Sequence, residues 1–190
     1  MVDLPAGLPT EHPKIQALRR ELLVVLQVAR SCHFVCRYHG IAKKGNEFLI
    51  VMEHYGGGSL TYFILNQPQG KVPLPKALDI LKDICRGLQE LHRRNVAVLD
   101  LKPDNVLMTE DGTAVLADFG ISRIVTHTIS TVAGGTPNFQ PPEQFDIGGQ
   151  AYQGPKCDMW ALACTFLNMV TGQAPMEGFN QMQMFNKVRK

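Results

Sequence analysis

The sequence predicts an α+β protein in which a short helix-and-strand portion precedes a mainly helical remainder. Three observations predict it. The first portion carries one helical apolar stripe (Ile15, Leu18, Leu22, Val25, Leu26) followed by two short β-rich runs. A triple glycine, Gly56-Gly57-Gly58, then interrupts the chain. Beyond it, two long stretches have the apolar content and spacing of helices rather than strands. With 190 residues and a 45% hydrophobic composition, the chain has material for one sizeable core.

The elements follow in order. A helix is expected over residues 14–30, with Pro13 just before it, where a helix start tolerates proline. Residues 34–38 and 48–52 are the β-rich runs, and the turn signal Lys43-Lys44-Gly45-Asn46 between them makes an antiparallel hairpin. The glycine triplet reads as a flexible linker: it follows a strand, but no Gly-Lys-Ser/Thr comes after it, so it is not a phosphate loop. A short helix is expected at 60–65. The clearest helix, 75–94, aligns Leu78, Leu81, Ile84/Cys85, Leu88 and Leu91 on one face. Short strands are expected at 96–99, 106–108 and 114–117. A mainly apolar helix at 159–170 should be buried, Trp160 with it, and an amphipathic helix at 180–189 is the last element.

Composition narrows the function. The formal charge is only +2 and the Lys and Arg residues are scattered, so no basic run points to nucleic acid. The longest apolar runs, 22–26 and 48–52, are far too short to cross a bilayer. Met1 is followed by Val-Asp-Leu-Pro, which does not resemble a signal peptide, and a cytoplasmic location is expected. The cysteines, Cys32, Cys36, Cys85, Cys157 and Cys164, are odd in number and include no CxxC pair. They are expected to stay reduced, mostly as small buried hydrophobes, and a zinc site is not expected.

The chemistry is concentrated in Asp100-Leu101-Lys102-Pro103-Asp104-Asn105 and Asp118-Phe119-Gly120. Phosphoryl transfer from a magnesium nucleotide needs an acid group to orient the attacking hydroxyl, a cation on the moving phosphate, and oxygen ligands for the metal. These two segments supply all three. Each has a plainer reading alone, a Pro-Asp-Asn turn and an Asp-Phe-Gly loop. Together, in this order and spacing, they resemble the catalytic loop and the metal-binding triplet of the eukaryotic protein kinases. Two further segments join them. Gly135-Thr136-Pro137-Asn138-Phe139-Gln140-Pro141-Pro142-Glu143 is similar to the end of a kinase activation segment, with Pro141 where the family has Ala. Asp158-Met159-Trp160-Ala161-Leu162 resembles the start of the central helix of the large lobe.

The resemblance covers almost the whole chain. It implies a two-lobed protein-kinase-like fold, with residues 1–55 as the remainder of the small lobe and hinge and residues 56–190 as part of the large lobe. It implies ATP and Mg2+ as cofactors and a protein substrate bearing a Ser or Thr acceptor. Asp100 would orient the acceptor hydroxyl, Lys102 would place positive charge on the transferring phosphoryl group, and Asn105 and Asp118 would hold the magnesium ions. Met52 would be the gatekeeper beside the adenine, backbone groups of Glu53 and Tyr55 would hydrogen-bond it, and Leu107 would form the floor beneath it. Glu21 is the candidate carboxylate for the family's nucleotide-binding Lys, although its connection to the next strand looks about two residues longer than the family pattern; an exposed helix Glu is the plainer reading. Phe119 would pack against the first helix. Asp158 would hydrogen-bond the backbone of the catalytic loop, and Glu143 would pair with an Arg near the family's C-terminus. Lys102 after Asp100, and Thr136 after a Gly, resemble the serine/threonine class. Thr126, Thr128, Ser130 and Thr131 are candidate phosphorylation sites.

The sequence also departs from the family. Where the family has H-R-D, it reads Val98-Leu99-Asp100. The missing Arg normally pairs a phosphate on the activation segment, so an arginine at Leu99 is expected to change little unless such a phosphate is present. Val98 is expected to pack against Phe119. The family's Gly-rich loop and Val-Ala-Ile-Lys strand would fall upstream of Met1, and its last large-lobe helices beyond Lys190. Three readings therefore stand: a serine/threonine kinase in partial form, a pseudokinase-like binding or scaffold module, and a non-functional fragment. Intact Asp100, Asn105 and Asp118 favour the first.

Overall fold

The computed structural model describes residues 26–44, 47–117, 123–124, 136–144 and 153–188. Helix α1 occupies residues 26–31 and buries Val28 and Ala29; the rest of the helix expected over 14–30 lies outside the described residues. Strands β1 (Tyr38–Lys44) and β2 (Glu47–Met52) pair antiparallel, Lys44 opposite Glu47, with an irregularity between Tyr38 and Gly40. The hairpin is therefore as expected, but its first strand starts where the β-rich run 34–38 was expected to end. Residues 34–36 pair elsewhere: Val35 bridges Leu116 in parallel, and the Cys36 amide donates to the Leu116 carbonyl at 2.7 Å. Val35 and Cys36 are buried, so their backbone follows their side chains to the interior strand.

Helix α2 (Leu60–Leu65) is capped by Ser59, whose hydroxyl accepts the Tyr62 amide. Helix α3 (Leu74–Arg93) has Pro in its first turn and His92 and Arg93 in its last, where cations complement the helix dipole. Its buried face is Ala77, Ile80, Ile84, Gly87, Leu88 and Leu91. This corrects the expected stripe, since Leu78 is 49% exposed and Cys85 is exposed. Close approach decides the rotation. A Cβ at Gly87 would lie 2.7 Å from the Phe34 carbonyl oxygen and 2.8 Å from Leu116 Cδ1, so the small residue faces inward and the leucine stripe turns partly outward.

Strand β3 (Val96–Ala97) pairs with β6 (Arg123–Ile124), and β4 (Val106–Met108) pairs with β5 (Ala114–Leu116), both antiparallel. β3 is shorter than the expected 96–99, because Val98 and Leu99 turn away to a helix partner described below. The glycine triplet is not a free linker. The Gly57 amide donates to the Met108 carbonyl and the Met108 amide to the Gly58 carbonyl, at 2.9 and 2.8 Å. A Cβ at Gly57 would sit 2.6 Å from the Met108 oxygen, so the turn is docked on β4 and glycine permits it.

Helix α4 (Gly154–Thr171) and helix α5 (Gln181–Val188) complete the described elements. α4 buries Cys157, Asp158, Ala161, Leu162, Cys164, Thr165 and Met169. The expectation that it is buried throughout is corrected: Met159, Trp160 and Leu167 are 54%, 36% and 50% exposed. One core joins α1, α2, α3, β3, β4 and α4, and it includes Val98 and Leu101 of the loop between β3 and β4. No helix among the described residues is long and apolar enough to cross a membrane.

Candidate active site

The loop between β3 and β4 is set by one buried carboxylate. Asp158 on α4 is fully buried, and its Oδ2 and Oδ1 accept the amides of Val98 and Leu99 at 2.9 and 2.8 Å. His92 on α3 approaches the same Oδ2 through Nε2 at 2.7 Å. A carboxylate removed from water needs such partners. Between them, these bonds hold Leu99 at φ 65°, a left-handed conformation unfavourable for a leucine. The chain thereby turns sharply just before Asp100. The expected bond from Asp158 to the loop is present. His92 was not singled out in the sequence, where a histidine near the end of an amphipathic helix gives no local sign of a partner 66 residues away.

Asp100 is gripped from several sides. Its Oδ1 accepts the Thr136 amide at 3.0 Å and the Thr136 hydroxyl at 3.3 Å. Its Oδ2 lies 2.9 Å from Lys102 Nζ and accepts Asn105 Nδ2 at 3.1 Å. Lys102 Nζ also donates to Thr136 Oγ1 at 2.6 Å, and Asn105 Nδ2 to the Asp100 carbonyl at 2.8 Å. Four sequence-selected residues thus form one cluster. Pro103–Asn105 makes a 3-10 turn that brings Asn105 back towards Asp100, and the Thr61 hydroxyl ties down Asp104 at 3.0 Å. Asn105 is buried with its NH2 group towards Asp100, which turns its amide oxygen away. That oxygen is the donor type a magnesium ion takes, so Asn105 fits the metal-holding role.

The expected nucleotide residues meet in part. Leu107 on β4 and Tyr55 pack with buried Cys36, Val115 and Ala117 in a second, smaller cluster. The Tyr55 hydroxyl accepts the Arg37 amide at 3.0 Å, and the Glu53 amide donates to the Arg37 carbonyl at 2.8 Å, so residues 53–55 are braced against the segment before β1. Met52 is 39% exposed and lies outside that cluster. The Ala117 amide donates to the Asn105 carbonyl at 2.9 Å, which ties the end of this strand to the catalytic loop. Glu21, Asp118, Phe119 and the residues from Thr126 to Thr131 lie outside the described residues.

Glu143, expected to meet an arginine, accepts a 3.8 Å bond from the Cys157 thiol. Burial, with the nearby Glu143 and Asp158 carboxylates, pushes that thiol up to about 12, so it stays protonated and donating.

The sequence pattern of the protein kinase domain matches residues 8–190. The chain is 29% identical over 166 residues to sucrose non-fermenting protein kinase 1 of Fusarium virguliforme, covering 87% of this chain and 23% of that protein. It is 30% identical over 158 residues to the serine/threonine-protein kinase stk11 homolog of Dictyostelium discoideum, covering 80% and 26%. It is 33% identical over 141 residues to the serine/threonine-protein kinase par-4 of Caenorhabditis briggsae, covering 72% and 21%. The chain spans about a quarter of the length of these relatives. With the family pattern running over nearly all of its length, the chain belongs to the protein kinase domain family.

Proposed function

We propose that this chain is part of a serine/threonine kinase that transfers the γ-phosphate of ATP to Ser or Thr of protein substrates. The observation that carries the reading is the cluster of Lys102, Asn105 and Thr136 on the Asp100 carboxylate. A carboxylate restrained in this way orients an acceptor hydroxyl for in-line attack at small entropic cost. Lys102 offers its ammonium to the moving phosphoryl group, where charge spreads in the transition state. Asn105, with Asp118, would hold magnesium, which would supply positive charge to offset that of the phosphates. The adenine would lie over Leu107, against backbone groups of Glu53 and Tyr55 and beside Met52, with Glu21 as partner of the nucleotide-binding lysine. Residues 1–55 then belong to the small lobe and hinge, and 56–190 to the large lobe. Five free thiols suit a cytoplasmic setting.

The test is transfer of radiolabelled γ-phosphate from Mg-ATP to a Ser/Thr-containing protein by the longest natural form of the protein. Asp100→Asn and Asp118→Ala should each abolish it. Undiminished transfer in both variants would overturn the assignment. No transfer by the wild-type protein, with ATP binding or partner binding intact, would establish the scaffold reading instead.

A further inference from the structure

A small cavity lies behind the catalytic loop, on the side of Asp100 towards α4. Its volume is about 10 Å3, and Asp100, Thr136, Gln140, Gln144 and Cys157 are among the residues lining it. Gln144 sits in the 3-10 turn Pro142–Gln144. Its Nε2 is fully buried and makes no hydrogen bond to any described residue. An unmet buried donor loses its bonds to water without compensation, and native proteins rarely leave one. The cavity is about the size of one water probe, and a water is retained where at least two polar groups converge on it. Asp100, Thr136 and Gln140, residue types that carry oxygen acceptors, line the same cavity, while the Gln144 amide supplies a donor.

We propose that this cavity is a binding site for a single structural water, which accepts a hydrogen bond from Gln144 Nε2 and donates to the residues of the opposite wall. The water bridges the turn 142–144 to the loop that carries Asp100, in parallel with the direct Thr136–Asp100 bonds. The site stands on cavity, donor and acceptors alone and does not depend on the proposed activity. Its volume matches that of one water, and its mixed lining distinguishes it from a dry apolar void.

The test combines a high-resolution crystal structure of the protein with thermal unfolding of Gln144→Met, which keeps the side-chain length and removes the amide. The expected results are one density peak about 3 Å from Gln144 Nε2 and a melting temperature lower by about 2–4 °C in the variant, the equivalent of one lost hydrogen bond. A dry site gives the opposite sign, because the variant then removes an unmet buried donor and melts higher. Either a rise in melting temperature or a cavity without density overturns the proposal, and the crystal result on the unaltered protein stands even if the variant does not fold.

Discussion

His92 Nε2 lies 2.7 Å from Asp158 Oδ2, and the same carboxylate holds the amides of Val98 and Leu99. Three elements, α3, α4 and the catalytic loop, therefore meet at one fully buried side chain. Removing the imidazole leaves a buried carboxylate one donor short. His92→Ala should destabilise the protein by about 2 kcal/mol, the range of a hydrogen bond to a charged group. Asp158→Ala should cost more, about 3–5 kcal/mol, because two loop amides lose their acceptor and His92 its partner. Urea unfolding checks both. A midpoint unchanged by His92→Ala would show that the contact contributes nothing.

Leu99 occupies the place of the family's arginine, at φ 65° and 4% exposed. From the motif alone, an arginine here is expected to be nearly silent without a phosphate. Burial changes that expectation. The guanidinium would have to leave water or push out past its neighbours, and an unpaired buried charge is costly. Leu99→Arg should lower stability by about 1–3 kcal/mol, and phosphorylation within residues 126–131 should return part of the loss. Equal melting temperatures for the wild type and the unphosphorylated variant would sink this argument.

The site was legible in the sequence where chemistry is carried by contiguous residues. Asp100, Lys102 and Asn105 lie within six consecutive residues, so their order alone implied their meeting, and Thr136 was marked by its own segment. What was not legible depended on packing between distant elements. The helical period of α3 allowed two overlapping apolar faces, and contact of Gly87 with Phe34 and Leu116 chose between them. The glycine triplet looks like a flexible connection until Met108 is seen to pair with it. Trp160 reads as core from its type, yet it lies on the outward side of α4.

Thr165 on α4 is fully buried, and its hydroxyl makes no hydrogen bond to any described residue. Threonine and valine have nearly the same shape, so Thr165→Val removes an unmet polar group without opening a cavity. The substitution should stabilise the protein by about 1 kcal/mol or more, read as a higher urea midpoint with unchanged slope. A lower midpoint would mean that the hydroxyl has a partner worth keeping.

The buried thiols should make the protein sensitive to alkali. Burial raises Cys157 from 9.0 to about 12 and Cys36 and Cys164 to about 11. A group that holds its proton more tightly when folded contributes stability that is complete below the unfolded value and is lost as pH rises through the folded one. For Cys157 that window runs from about pH 9 to about pH 12. Stability should therefore fall across this range, and Cys157→Ala should show a flatter alkaline limb than the wild type, whatever its stability at neutral pH. Alkylation adds a second readout. Cys85 is exposed and should react with iodoacetamide well before Cys157, whose thiolate is scarce at pH 8 and whose sulfur is covered. If Cys157 is modified as fast as Cys85 in the folded protein, α4 does not pack on the turn 142–144 as described.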